Sequence, residues 1–343
     1  MAAPTPPAPL AVVGGHLLTE LEDVTSDLGA LDGAGTWAVV LPASGPPVCA
    51  RFARRRPARP WPGPPWPGVP GGQGAWTTSL DGDAFRSGVR HIRAAIRDGD
   101  VYQVNLTRRL SAPAPADADV AALGAALAAG NPAPYSAVVR LPDQGVHVAS
   151  ASPELFVRRD GGRVRSSPIK GTAASEADLL PKDRAENVMI VDLVRNDLGR
   201  VCQWGSVTVP SLCAVEAHPG LVHLVSTVEG RLRPGMGWPE VLAATFPPGS
   251  VTGAPKRAAL QVIDALEPVP RGVYCGAVGW VDADAGRGAL NVAIRTFWLE
   301  DGRLHFGTGG GITWGSDPDG EWAETELKAA RLIGLASRGR LAR

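Results

Sequence analysis

VHVASASPELFVRRDGGRVRS, residues 146–166, contains three short strand-like stretches at 146–150, 154–158 and 163–166, with Asp160-Gly161-Gly162 dividing the last two. Short apolar-alternating segments cut by Asp-Gly turns fold as hairpins, because glycine supplies the positive φ that a tight reversal requires. A hairpin-rich sheet is therefore expected at the middle of the chain. Towards the N-terminus, Phe85, Val89, Ile92 and Ile96 recur at helical spacing over 83–98, Gly99 stops that helix, and 101–107 reads as a strand. Towards the C-terminus a helix is predicted at 182–198, strands at 206–209 and 221–229, and a helix from Pro255 to Glu267 with Leu260, Ile263 and Leu266 as its buried stripe. Strands at 273–281 and 289–299 lead into Gly307-Thr308-Gly309-Gly310-Gly311, and a last helix spans 319–337. Strands and helices come in groups instead of strict alternation, which defines an α+β fold.

Residues 42–75 carry prolines, glycines, the basic cluster Arg51, Arg54, Arg55, Arg56 and Arg59, and Trp61 and Trp66 among prolines. The expectation there is a Pro/Gly-rich loop without regular helix or central strand, serving as a connection or as a docking or lid segment anchored by tryptophan. Before it, Thr36–Leu41 reads as a strand. The domain reading is a short N-terminal portion, 1–80, packed on or continuous with a core of 81–335.

The chain has 343 residues, 44% of them hydrophobic, enough to bury a large core. Lys+Arg and Asp+Glu are equal at 34, so no net positive field is available to hold nucleic acid or an anionic membrane surface. Cys49, Cys202, Cys213 and Cys275 show neither C-x-x-C spacing nor clustering with histidine, which argues against a zinc site or a disulfide framework and fits a reducing cytoplasm. No run approaches the roughly 18 apolar residues of a membrane span, and MAAPTPPAPLAVV lacks a basic leader, so a soluble, unprocessed cytoplasmic chain is expected.

Several residues could carry chemistry. Lys170, in Ser167-Pro168-Ile169-Lys170-Gly171-Thr172, is a potential amine nucleophile. Glu154 follows a proline and precedes Leu155-Phe156, which could desolvate it into a general acid or leave it a solvated turn residue. Glu186 heads a core-facing helical stripe, and Glu321, Glu324 and Lys328 share one helix face. Glu186 could be a helix N-terminal acid and Glu324–Lys328 a surface ion pair, or the carboxylates could be hard-oxygen donors to Mg²⁺. The loop Pro247–Lys256 offers a helix N-terminus with a hydroxyl and an ammonium, and Gly309-Gly310-Gly311 could turn successive N–H groups onto one anionic oxygen. Arg295, in the strand read at 290–299, needs an anionic partner, internal or from a ligand. His223, alternating against apolar neighbours, reads first as a hydrogen-bonded core histidine.

From about Asp83 to Arg331 the segments GDVYQVNLTRR, SPELF, PIKGT, ENVMIVDLVRNDLGRV, HLVSTVEG, FPPGSVTGAPKRAA, RGVYCGAVG, NVAIRT, GTGGGI and EWAETELK follow in an order that resembles the chorismate-utilising enzymes. The resemblance implies a single large domain of two packed antiparallel-rich sheets flanked by helices. It implies Mg²⁺ held by Glu186 and Glu324 with Glu321 close by, and a grip on the carboxylates of chorismate by Tyr274, Arg295, Lys328 and the N–H groups of Gly309, Gly310 and Gly311. It places Thr172 beside the ring, His223 near the enolpyruvyl group, and Glu154 as acid to the departing C4 hydroxyl. Gln103 stands where water-adding relatives carry lysine, and Lys170 where anthranilate synthases usually carry alanine. That combination is similar to the aminodeoxychorismate synthases. It implies amination at C4 through a covalent Lys170 intermediate, with ammonia from a separate glutaminase subunit, in the route to 4-aminobenzoate and folate. Amination at C2, or a chorismate-binding regulatory subunit without turnover, are the alternatives. The N-terminal part is short and proline-rich compared with many relatives, which argues against the tryptophan site seen in some of them, and Leu17-Leu18-Thr19-Glu20 is at best a weak trace of it.

Overall fold

The computed structural model describes residues 7–61, 63–173, 175–179, 181–218 and 221–338. In chain order its strands are β1 (Leu10–Val13), β2 (His16–Thr25), β3 (Thr36–Leu41), β4 (Val48–Pro57), β5 (Thr77–Thr78), β6 (Gln103–Pro113), β7 (Tyr135–Leu141), β8 (Val146–Ser152), β9 (Leu155–Asp160), β10 (Arg163–Ser167), β11 (Ile169–Ala173), β12 (Thr208–His218), β13 (Leu221–Arg231), β14 (Gly253–Ala254), β15 (Ala277–Asp282), β16 (Arg287–Val292), β17 (Thr296–Glu300) and β18 (Arg303–Ile312). The helices are α1 (Gly82–Asp98), α2 (Val120–Gly130), α3 (Pro181–Gly199), α4 (Trp238–Thr245), α5 (Lys256–Leu266) and α6 (Pro318–Ser337).

Antiparallel ladders join the strands in the path β6–β18–β17–β8–β7–β1–β2–β4–β3–β15–β16–β9–β10–β13. The far edge of β13 carries β12, and β11 follows β10 along the near edge. One side of this path packs Phe297, Phe306 and Leu304 against Leu123 and Leu127 of α2 and Leu332 of α6. The other packs Val157, Leu290 and Val228 against Ile190 and Leu198 of α3 and Trp238 of α4. A third apolar cluster binds Phe85, Val89 and Ile92 of α1 and Ile263 of α5 to Leu106 of β6. The α+β class with antiparallel-rich sheets flanked by helices is the observed architecture. Among the described residues no helix is long and apolar enough to cross a membrane.

Three differences from the sequence reading have physical reasons. Residues 48–57 form β4, paired on both sides by β2 and β3, where a loop is expected. Its one proline, Pro57, is the last residue of the strand, opposite His16 and beyond the stretch that β3 flanks, and Cys49, Ala50 and Phe52 are buried while Arg51 pairs with Glu22 and Arg55 with Asp282. Trp66 is buried under α6, donating its indole N–H to the Ala336 carbonyl at 2.7 Å, so it anchors the segment to this chain's own core. The strand read at 289–299 is two, β16 and β17, broken at Arg295, whose φ of 52° re-aims the backbone. Helix α2 has no amphipathic stripe; its alanines and leucines are buried on several sides, which leaves no period to read.

Candidate active site

Lys170 lies on β11 just before Gly171, whose φ of 73° accompanies a register shift against β13. A Cβ on Gly171 would fall 2.9 Å from the Cβ of Asp183, so glycine here lets the first turn of α3 approach β11 and brings Glu186 into the field of the Lys170 amine. Nζ of Lys170 donates to the Ser250 carbonyl at 3.1 Å. Burial lowers the pKa of its ammonium, partly opposed by Glu186 and Glu154 and reinforced by Lys328. A neutral amine is therefore easier to reach here than in water.

Glu154 sits in the turn between β8 and β9, its N–H donating to Ser152 Oγ and its carbonyl accepting from the Val292 N–H. It is 4% exposed, and burial pushes its carboxyl up to about 7 against the opposing pull of a Ser250 hydroxyl bond, the Lys170 charge and the Ile169 amide. The desolvating environment expected from Leu155-Phe156 is present, and it yields a carboxylic acid able to give a proton near neutral pH.

Glu186, Glu321 and Glu324 approach from α3 and α6. Burial raises the pKa of Glu186, with Lys170 opposing and Glu321 adding. Burial also raises Glu321, whose Oε1 accepts from Ser316 Oγ at 2.6 Å while Glu324 repels it. Glu324 is held below the usual carboxylate range: burial works against its charge, but Lys328 at 2.7 Å, together with the charges of Lys182 and Lys170, outweighs it. Carboxyls that raise one another mark a place where a cation is favoured. Among the described residues no three acids, histidines or cysteines come together closely enough to hold a metal ion; Mg²⁺ that keeps several waters needs only one or two of these carboxylates.

The glycine run does something other than expected. Gly309, Gly310 and Gly311 are paired in β18 with Thr107, Leu106 and Asn105 of β6, so their N–H groups alternate between the two edges and do not converge on one oxygen. What the run provides is clearance. A Cβ on Gly310 would meet Glu321 Oε2 at 2.8 Å, and one on Gly311 would meet Gln103 Nε2 at 2.1 Å and Lys170 Nζ at 3.2 Å. Gln103 is 1% exposed and its Oε1 is a buried acceptor with no hydrogen-bond partner among the described residues.

Lys328 binds the Gly309 carbonyl at 3.0 Å as well as Glu324, which is the ordinary ion pair put to use clamping α6 to the glycine strand. Arg295 has left the strand face assigned to it; it stands in the break between β16 and β17, where burial lowers its pKa, and no described carboxylate pairs with it. His223 is buried in β13 with Nδ1 3.4 Å from the Gly171 carbonyl, a histidine held by the core. Tyr274 lies outside the strand predicted for it, with its ring where a Cβ on Gly307 would fall 2.0 Å from Cγ, next to Cys275 and Arg271. The side chain of Thr172 lies outside the described residues. Lys256, expected to face an anion, is bound instead to Asp197 at 2.7 Å and to the Thr245 carbonyl. The link from Lys170 to the Ser250 carbonyl has no signature in the sequence, since a carbonyl acceptor can come from any residue, and the hydroxyl bond from Ser316 to Glu321 is set by how the turn before α6 folds back.

A buried amine and a buried carboxyl share the field of carboxylates carried by α3 and α6, an arrangement chemically suited to a nucleophile and an acid. The family described as chorismate binding enzyme matches residues 66–334, and the chain belongs to it. It is 44% identical over 263 residues to anthranilate synthase component 1 1 of Haloarcula marismortui, covering 73% of this chain and 53% of that one. To aminodeoxychorismate synthase component 1 of Klebsiella aerogenes it is 42% identical over 271 residues, covering 76% and 59%. The chain thus spans a little over half the length of these curated relatives. Anthranilate synthase component I from Streptococcus pneumoniae has the same fold, with a TM-score of 0.76 over 97% of this chain and 93% of the other at 24% identity.

Proposed function

We propose that the chain aminates chorismate at C4, as an aminodeoxychorismate synthase component I acting with a glutaminase subunit that supplies ammonia. The observation that carries this is the Lys170 amine, fixed on the Ser250 carbonyl with its ammonium disfavoured by burial, next to Glu154, whose carboxyl keeps its proton up to about 7. The Lys170 nitrogen bonds to C2 of the ring as the C4–oxygen bond breaks, and Glu154 gives its proton to the departing hydroxyl, which leaves as water. Ammonia then bonds to C4, the C2–nitrogen bond breaks to return Lys170, and the proton shed by the new ammonium goes back to Glu154. Arg295, lacking a partner among the described carboxylates, suits a substrate carboxylate. Glu186 and Glu324, with Glu321 close by, would hold a Mg²⁺ that keeps its other waters, and when bound it would supply positive charge against the substrate's carboxylates and the leaving oxygen. Gln103, a neutral amide beside Gly311, lacks the basicity to activate water.

The test is to mix the protein with chorismate, Mg²⁺ and ammonium, with and without an aminodeoxychorismate lyase. 4-Aminobenzoate formed only with the lyase supports the reading, and anthranilate formed without it rejects it.

A further inference from the structure

We infer that Arg271 is a positioning residue for the Lys170 amine, its guanidinium tying the turn whose carbonyl receives that amine to the strand β6. This rests on the reading of Lys170 as nucleophile. Nη1 of Arg271 donates to the Val251 carbonyl at 2.7 Å, one residue beyond the Ser250 carbonyl that accepts from Lys170 at 3.1 Å, both in the 3-10 turn Gly249–Val251. Nη2 donates to the Asn105 carbonyl at 2.7 Å. Asn105 lies opposite Gly311 in the β6–β18 ladder, where a Cβ on Gly311 would fall 3.2 Å from Lys170 Nζ. One planar group thus sets the spacing of two backbone segments that flank the amine. Its own place is fixed by Glu267 at the end of α5, which accepts from Nε at 2.8 Å and from Nη2 at 2.6 Å. Oε1 of Glu267 also accepts from the Thr107 N–H and hydroxyl, each at 2.9 Å, which joins the pair to β6 a second time.

The side chains of Arg271 and Glu267 are 7% and 6% exposed. Burying two charges costs desolvation that their attraction roughly cancels, so such a pair adds little stability over apolar side chains of the same size. What a rigid fork bonded to two distant carbonyls adds is a fixed geometry. Lysine in its place would keep the charge beside Glu267, but a single ammonium lacks the fork that spans Val251 and Asn105. Arg271 also lines a cavity of about 380 Å³ together with Ala43, Thr252, Ile263 and Asp264, which gives a free guanidinium ion a route to the position if the side chain is cut back.

The experiment labels amines of the whole chain with a trace of acetic anhydride and reads Lys170 against Lys182 by peptide mass mapping, in the wild type, Arg271→Ala and Arg271→Lys. An amine released from its carbonyl is free to meet the reagent. Expected in both variants is a rise in Lys170 labelling of about fivefold, the factor for one lost hydrogen bond of ordinary strength, with Lys182 unchanged. Millimolar guanidinium chloride, and not sodium chloride at the same concentration, should reverse the rise in Arg271→Ala. Unchanged Lys170 labelling, a rise shared by Lys182, or a rise in Arg271→Ala that guanidinium leaves in place overturns the inference. Arg271→Lys keeps the buried charge balanced and decides the matter where Arg271→Ala does not fold. The labelling involves no turnover, so a failure of the amination reading shows in the product assay and not in this one. Where amination is observed, Arg271→Lys lowers kcat by about 10–100-fold with KM little changed, the cost of a nucleophile moved from its place; a change in KM alone also overturns the inference.

Discussion

Glu154→Gln is the perturbation that most directly exposes how burial has tuned this site. Raising the carboxyl from 4.5 to about 7 makes its ionisation in the folded protein about 3 kcal/mol harder than in the unfolded chain. Between those two values the folded state keeps the proton and the unfolded state has released it. Stability therefore falls as pH rises through the window, by about 3 kcal/mol in total, and levels off above about 7. Glutamine keeps the shape and cannot ionise. Urea unfolding of both proteins from about pH 4 to about pH 8 should give stability curves that separate progressively, the variant gaining relative to wild type by about 3 kcal/mol at the upper end. Glu186 and Glu321 titrate in both proteins and drop out of the difference. Curves that run parallel across the window would show that Glu154 ionises as it does in water, and the acid role would fall with it. In turnover, wild-type activity should decline as pH rises through about 7, and the variant should be slower by about 10²–10⁴-fold.

Lys170→Ala should abolish any chorismate-derived adduct detected by peptide mass mapping, and by removing the positive charge beside Glu154 it should carry the acid's titration to still higher pH. Arg295→Ala should weaken chorismate binding by about a hundredfold in a calorimetric titration, the worth of about 3 kcal/mol for a charge-assisted contact, while leaving stability unchanged or raised because no described carboxylate pairs with the cation. Gly309→Ala places a Cβ 2.4 Å from the Leu106 carbonyl oxygen inside the β6–β18 ladder, and should cost about 1–3 kcal/mol by urea unfolding.

Local chemistry explains which parts of the fold were legible. The α1 stripe of Phe85, Val89 and Ile92 repeats with the helical period and ends at Gly99, and the observed helix closes there with Gly99 at a φ of 88°. The hairpin at Asp160–Arg163 follows from its glycines. β4 was hidden because arginines and flanking prolines mask an alternation that matters only once β2 and β3 lie on either side. The break at Arg295 was hidden for a similar reason, since nothing in NVAIRT announces a positive φ at an arginine.

By itself the sequence determined the fold class, the family and the roster of chemically capable residues, because period, turn residues and motif order are local properties of the chain. Tertiary structure alone decided which of those residues act together. It gave Lys256 to Asp197, turned the glycine run from an anion cradle into clearance for Gln103 and Lys170, and bound the Lys170 amine to the carbonyl of Ser250, 80 positions further along the chain. Proximity, burial and the electric field that burial creates depend on how distant strands are brought together, and no local pattern encodes them.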